Sequence, residues 1–371
     1  MNPEFYLPIL KSKEGEFTAL FKLDKFTKKH ICPLFEISNL EYDNESKKNP
    51  KTLEEHLHGF CLKKFIKKWC SSNSFVDTYQ LRGQFVNGIT PLEYIYEQIA
   101  KKLLIPLFPM PIAHINDNVQ TMNGLISVIK KHGIKEIGIR LKIEDAMDIT
   151  LANKLDGLLK RLELNCESCH LIFDLASSDS SQPTDFSQPM DFSAGIIALL
   201  ETFPNFHAWK SFTICGGAFP RSDLLKKGLN IVTRLDWELY RHIEEGLRQT
   251  DYARKINFGD YSIVTPGHFE FDPRKMKRSA NIRYTTGGNW LIIKGSALSK
   301  PDDFKQYISQ AGEICTSEYY LGESYSEGDL YIRKCYLGDA KPGNPTVWNW
   351  VGNNHHFTKV VADLFSTPVY S

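Results

Sequence analysis

Along most of the chain, short runs of β-branched and aromatic residues alternate with stretches in which apolar positions recur every three or four residues. The runs are nearly continuous in hydrophobicity, as strands covered on both faces must be, and their alternation with amphipathic helices predicts a parallel sheet with crossover helices. Eight such runs are legible, at 6–10, 31–37, 75–79, 105–112, 136–142, 169–175, 210–215 and 258–264. Helices are predicted at 15–23, 53–70, from Pro91 onward, and at 118–131, 151–162, 194–200 and 235–247. Pro91 suits a first helical turn and Gly133 suits a helix stop. Eight β-then-α units close a (β/α)₈ barrel.

No helix follows the eighth run directly. The next good candidate is HHFTKVVADLF at 355–365. Before it come a hairpin signal, 281–286 and 290–294 around Gly287-Gly288, a short helix at 302–314 and a further strand near 330–335. The pattern predicts a large capping insertion between strand 8 and the last helix. Residues 1–264 would form the barrel core, 265–350 a cap on its C-terminal face, and 351–371 the last barrel helix and tail. The Ser-, Pro- and Asp-rich stretch 177–193 predicts an exposed loop.

Composition narrows the function classes. The 371 residues carry 45 Lys+Arg against 44 Asp+Glu, so wholesale coating of nucleic acid is not expected, although local basic patches are. No run of 18 apolar residues occurs and the N-terminal residues lack a basic secretory n-region, which predicts a cytosolic protein with no membrane contact. Eight dispersed cysteines predict free thiols instead of a disulfide scaffold.

In such a barrel, chemistry is carried by polar groups at the C-terminal ends of strands, because a mid-strand charge is costly to bury unpaired. The charged residues that interrupt apolar runs are Lys11 and Lys13, Glu36, Asp77, Arg140 and Lys142, Asp174 and Asp260, with Arg234 beside the seventh helix. Six of eight strands thus offer a charge at one end. Glu36, Asp77, Asp174 and Asp260 would hold Mg²⁺ or Mn²⁺, or divide into a general acid and a general base. Alternatively, Lys11, Lys13, Arg140 and Lys142 neutralise them as a structural network. The same cations complement phosphate, which points to a phosphorylated ligand.

His355-His356 precedes an amphipathic helix, and His355 is a candidate base or ligand facing the mouth; helix capping or packing is the alternative. Cys166-Glu-Ser-Cys169-His170 matches a haem-attachment pattern but lies at the start of a barrel strand, on the stability face, in a chain read as cytosolic. Lys63, Lys64, Lys67 and Lys68 read as a solvated helix face. Arg274, Lys275, Lys277, Arg278 and Arg283 are interleaved with Tyr284 and Trp290, a mixture that holds phosphates and stacks bases, or merely decorates a surface. No Walker loop, dinucleotide fingerprint or nucleophile elbow is present.

YLPILKSKEGEFTAL followed by PLFEI, then FGDYSI, ANIRYT, YSEGDLYI and GNPTVWNWVGNNHHFT, resembles the beta protein family of phages, prophages and bacterial genomes. The blocks contain Lys11, Lys13, Glu36, Asp260, Tyr261, Arg283, Tyr284, Asp329, His355 and His356. What the resemblance implies is a part in phage–host conflict, as antiviral defence or phage counter-defence; it brings no defined activity. Two readings follow. One is a hydrolase of the phosphodiesterase or nuclease kind, with Glu36, Asp77, Asp174, Asp260 and His355 in the chemistry and Lys11, Lys13, Arg140, Lys142, Arg234, Arg283 and Tyr284 on the phosphate of a nucleotide or nucleic acid. The other is a non-catalytic binding or sensor protein with a protein partner in a defence system.

Overall fold

The strands that build the frame are short, and those of the barrel are almost wholly buried. In a computed structural model, which describes residues 4–39, 51–176, 184–267 and 278–366, they are β1 (Leu7–Leu10), β2 (Leu34–Glu36), β3 (Phe75–Asp77), β4 (Met110–Ala113), β5 (Ile137–Lys142), β6 (Cys169–Asp174), β7 (Ser211–Cys215), β8 (Gly228–Thr233), β9 (Asn257–Asp260), β10 (Ser279–Thr285) and β11 (Asn289–Ala297). All of these except β8, β10 and β11 form a closed parallel barrel, sealed where Leu7 pairs with Gly259 and Pro8 with Asp260. With helices on its outside this is a (β/α)₈ barrel.

Alternation along each strand sorts the side chains. On β5, Ile137, Ile139 and Leu141 point outward into the layer beneath the helices, and on β6 Leu171 and Phe173 do the same. The remaining positions, Gly138, Arg140 and Lys142 on β5 and His170, Ile172 and Asp174 on β6, therefore face the lumen. Gly138 is glycine for a reason of space: a Cβ there would lie 2.3 Å from Ile112 Cδ1. The lumen is filled by Leu7, Ile9, Leu34, Phe75, Ile112, Ile172 and Cys215, a packed apolar core beneath the charged carboxyl end.

The insertion departs from two loops of the carboxyl rim. Residues 228–233, left unassigned by the sequence pattern, form β8 after β7 and pair antiparallel with β11, which pairs with β10. Helices Gln306–Cys315 and Glu327–Leu337 cover one face of this sheet through Tyr307, Ile314 and Ile332. Residues 330–335, read from sequence as a strand, are helical: Ser326 caps the helix through Asp329 N–H, and Gly338 ends it in a left-handed turn.

The final helix, Pro345–Phe365, joins both cores. Trp348 and Val351 belong to the insertion's core, whereas Phe357, Val360 and Val361 belong to the barrel's. Its close approach to the first helix, Glu14–Phe21, requires Gly15, where a Cβ would lie 2.3 Å from Asn349 Oδ1. Among the described residues no helix is long and apolar enough to cross a membrane.

Candidate functional site

The polar residues at the carboxyl ends of β2, β3, β5 and β6 stand side by side because the register demands it: Glu36 pairs with Asp77 and Lys142 with Asp174. Arg140, one lumen layer below Lys142, reaches up among them. Its Nη1 donates to Asp77 Oδ2 at 2.7 Å and Glu36 Oε1 at 3.2 Å; its Nε and Nη2 both reach Asp174 Oδ2, at 3.0 and 2.6 Å; Nη2 also meets the Tyr261 hydroxyl at 2.8 Å. Tyr261 in turn donates to Asp174 Oδ2 at 2.8 Å. Lys142 Nζ donates to Asp174 and to the Ala176 carbonyl, and Lys11 Nζ pairs with Glu36 Oε2.

Burial alone would raise all three carboxyls. The surrounding cations overcome it. Lys11 and Arg140 hold Glu36 below its usual range, His114 and Arg140 hold Asp77 well below, and Lys142 and Arg140 do the same for Asp174. The three acids are therefore ionised and point at a guanidinium. Among the described residues no cluster of three or more His, Cys, Asp or Glu side chains is arranged for a metal ion. The carboxylate oxygens that the sequence offered to Mg²⁺ or Mn²⁺ accept instead from Arg140, Lys11, Lys142 and Tyr261.

Above this network lies a cavity of about 210 Å³, whose lining includes Lys11, Glu36, Arg140, Lys142 and Tyr261. It also includes His114, the residue just beyond β4, whose Nε2 lies 3.2 Å from both Asp77 oxygens. Nε2 is the ring nitrogen turned to Asp77, and Nδ1 is the other. Tyr79 packs on His114 at 4.3 Å between ring centroids, with Arg82 over its other side. Asn116, Glu144 and Asp145 complete the polar wall. No residue between 278 and 350 lines this cavity.

Six of the sequence candidates thus meet at the mouth: Lys11, Glu36, Asp77, Arg140, Lys142 and Asp174. The others lie elsewhere. Lys13 is exposed at the start of the first helix. Asp260 is buried, accepting from the Tyr6 hydroxyl at 2.6 Å and from Ser262 N–H at 2.7 Å, with His356 Nε2 at 2.9 Å. His355 is enclosed between Asp329 Oδ2 and the Thr285 carbonyl, each at 2.8 Å, and stacks on Tyr284, whose hydroxyl donates to Asp329. Arg234 is fully enclosed and donates to the Thr286 carbonyl at 3.2 Å. Arg283 packs on Phe219. These groups tie the insertion to the barrel, where Asp236 is pushed up to about 6, chiefly by burial and next by Asp260. Arg274, Lys275 and Lys277 lie outside the described residues, as do 177–183 of the Ser-rich stretch.

His114, Tyr79 and Glu144 were not singled out by the sequence pattern. The strand that precedes His114 begins at Met110, later than the pattern predicts, and ends at Ala113, so His114 stands at its carboxyl end.

No curated protein matches the chain. The sequence profile of the family described as Beta protein matches residues 6–362, from the strand that opens the barrel to the helix that seals it. With nearly its whole length inside that match, the chain belongs to the Beta protein family.

Proposed function

We propose that the protein is a component of phage–host conflict that binds a phosphorylated ligand, a nucleotide or a nucleic-acid end, at the barrel mouth and hydrolyses a phosphodiester there. The observation that carries this reading is the His114–Asp77 pair opening onto the same cavity as Lys11 and Lys142. His114 Nδ1 takes a proton from an attacking water as the water oxygen bonds to phosphorus. The P–O bond to the leaving alcohol breaks, and the alcohol departs with that proton. Lys11 and Lys142 face the phosphate oxygens; Arg140, with all five N–H groups engaged, holds the acids in place. The cavity is smaller than the roughly 300–1,000 Å³ of common small-molecule sites, which suits one nucleotide unit and excludes a duplex. The phage, prophage and bacterial distribution implied by the resemblance supports the biological setting.

The test is hydrolysis of bis(4-nitrophenyl) phosphate together with calorimetric binding of mononucleotides. Turnover should fall about 10²–10⁴-fold in His114→Gln, at unchanged thermal stability, and KM should rise in Lys142→Ala. Absence of both turnover and binding at millimolar ligand would overturn the proposal.

A sensor without catalysis is the second reading, favoured by the full engagement of Glu36, Asp77 and Asp174 in ion pairs. It is recognised by mononucleotide binding that survives His114→Gln, with no turnover in either protein.

A further inference from the structure

The charges around the cavity do not describe a simple anion trap. Among the described residues, the positive side chains lining it are Lys11, Arg140 and Lys142. Against them stand Glu36, Glu144 and Asp145 in the lining, with Asp77 and Asp174 bonded directly to Arg140 behind it. Five carboxylates oppose three permanent cations in this count. Each lysine is already neutralised, Lys11 by Glu36 and Lys142 by Asp174. A phosphate dianion alone would add negative charge to a bowl whose described side chains already carry an excess of it.

The carboxylates differ in how they are used. Glu36, Asp77 and Asp174 are consumed by the cationic network. Asp145 accepts from Asn116 Nδ2 and from Lys142 N–H. Glu144 sits on the short helical turn Ile143–Ala146 that follows β5, lines the cavity, and makes no hydrogen bond or ion pair among the described residues. It stands two residues from Lys142, whose Nζ spends two of its three N–H groups on Asp174 and Ala176 and keeps one. Among the described residues, a carboxylate without a partner and a lysine with one open donor therefore share a wall.

We infer that the ligand of the mouth is dipolar: a phosphate on the Lys11 and Lys142 side joined within a few bonds to an ammonium or a cluster of N–H donors that meets Glu144. Such a group offsets part of the negative charge that the phosphate brings, and it gives the cavity a means of rejecting phosphates that lack it. An amino-alkyl phosphate has this form, as does a nucleotide whose base edge presents adjacent N–H groups. The inference rests on the mouth being a phosphate site, as proposed above, and assigns Glu144 as its specificity determinant.

Calorimetry on the full chain with two ligands of equal size separates the claims. 2-Aminoethyl phosphate carries the ammonium, and propyl phosphate replaces it with a methyl group. The expected result is three- to tenfold tighter binding of 2-aminoethyl phosphate at low salt, a range set by the solvent exposure of Glu144. Glu144→Gln should bring the two affinities within a factor of two by weakening only the amino ligand, whereas Lys142→Ala should weaken both. Equal binding of the two ligands to the unaltered protein overturns the dipolar inference and leaves the phosphate site standing. Discrimination that persists in Glu144→Gln overturns the role of Glu144. Binding of neither ligand at 10 mM, about the weakest affinity such a titration resolves, removes the phosphate site and this inference with it.

Discussion

Arg140 donates all five of its N–H groups to Glu36, Asp77, Asp174 and Tyr261 inside the barrel. Lysine has three donors on one nitrogen and cannot reproduce that fork. Because the three carboxyls are held below their usual range, their ionised forms contribute stability that is present above about pH 4 and is lost as the pH falls through their folded values. Arg140→Met should therefore lower stability by about 3–5 kcal/mol at pH 7, and the deficit should narrow below about pH 4 as protonated acids cease to need a cation. Urea unfolding of both proteins between pH 3 and 7 measures this; a deficit that does not change with pH would refute it. Asp77 and Asp174 were legible because an acid that ends an apolar run must either pair or act. Arg140 was legible as one of four cations that could neutralise them, but not as the group that bridges all three acids, because nothing in the sequence states that it lies one lumen layer below them.

At the scale of elements, helix Leu151–Leu162 stops at Glu163, which adopts φ 56°. A side chain in that left-handed region is strained, and the Glu163–Lys130 pair on the surface returns little. Glu163→Gly should raise stability by about 0.5–1 kcal/mol, read as a shift in the thermal midpoint; a lowered midpoint would show that the ion pair matters more than the backbone. The boundaries of this helix were legible to the residue, since its five buried leucines follow a strict helical period. The eight barrel strands were plain as runs, but not in their bounds: the fourth, read at 105–112, is Met110–Ala113, and the eighth, read at 258–264, is Asn257–Asp260. Less regular parts were harder. β8 carries Leu229 and Ile231 on its exposed face and so lacks the buried run that marks a barrel strand. Helix Glu327–Leu337 contains Tyr331, Ile332, Cys335 and Tyr336, whose β-preferring side chains outweighed the capping signal Ser326-x-x-Asp329.

On the scale of the whole molecule, Pro345–Phe365 makes the barrel and the insertion one cooperative object. Trp348 packs with Tyr307 on one side of it, while Phe357 meets Tyr6 in the barrel core. Trp348→Ala removes an insertion contact at a cost of about 3–5 kcal/mol. It should shift the unfolding of the barrel and of the insertion together, each followed by hydrogen exchange of its own peptides. Two separated transitions would show that the cores are independent. The closure of β1 on β9, and the meeting of Tyr6 with His356 at 3.1 Å, carry a further consequence. A ribosome delivers Tyr6 long before its partners, so the first strand waits with one edge unpaired until residue 260 has emerged, and the seal over it waits for residue 356. An edge left open that long is a template for the wrong neighbour, and the burden of keeping it clear falls on the growing chain itself or on the chaperones that receive it.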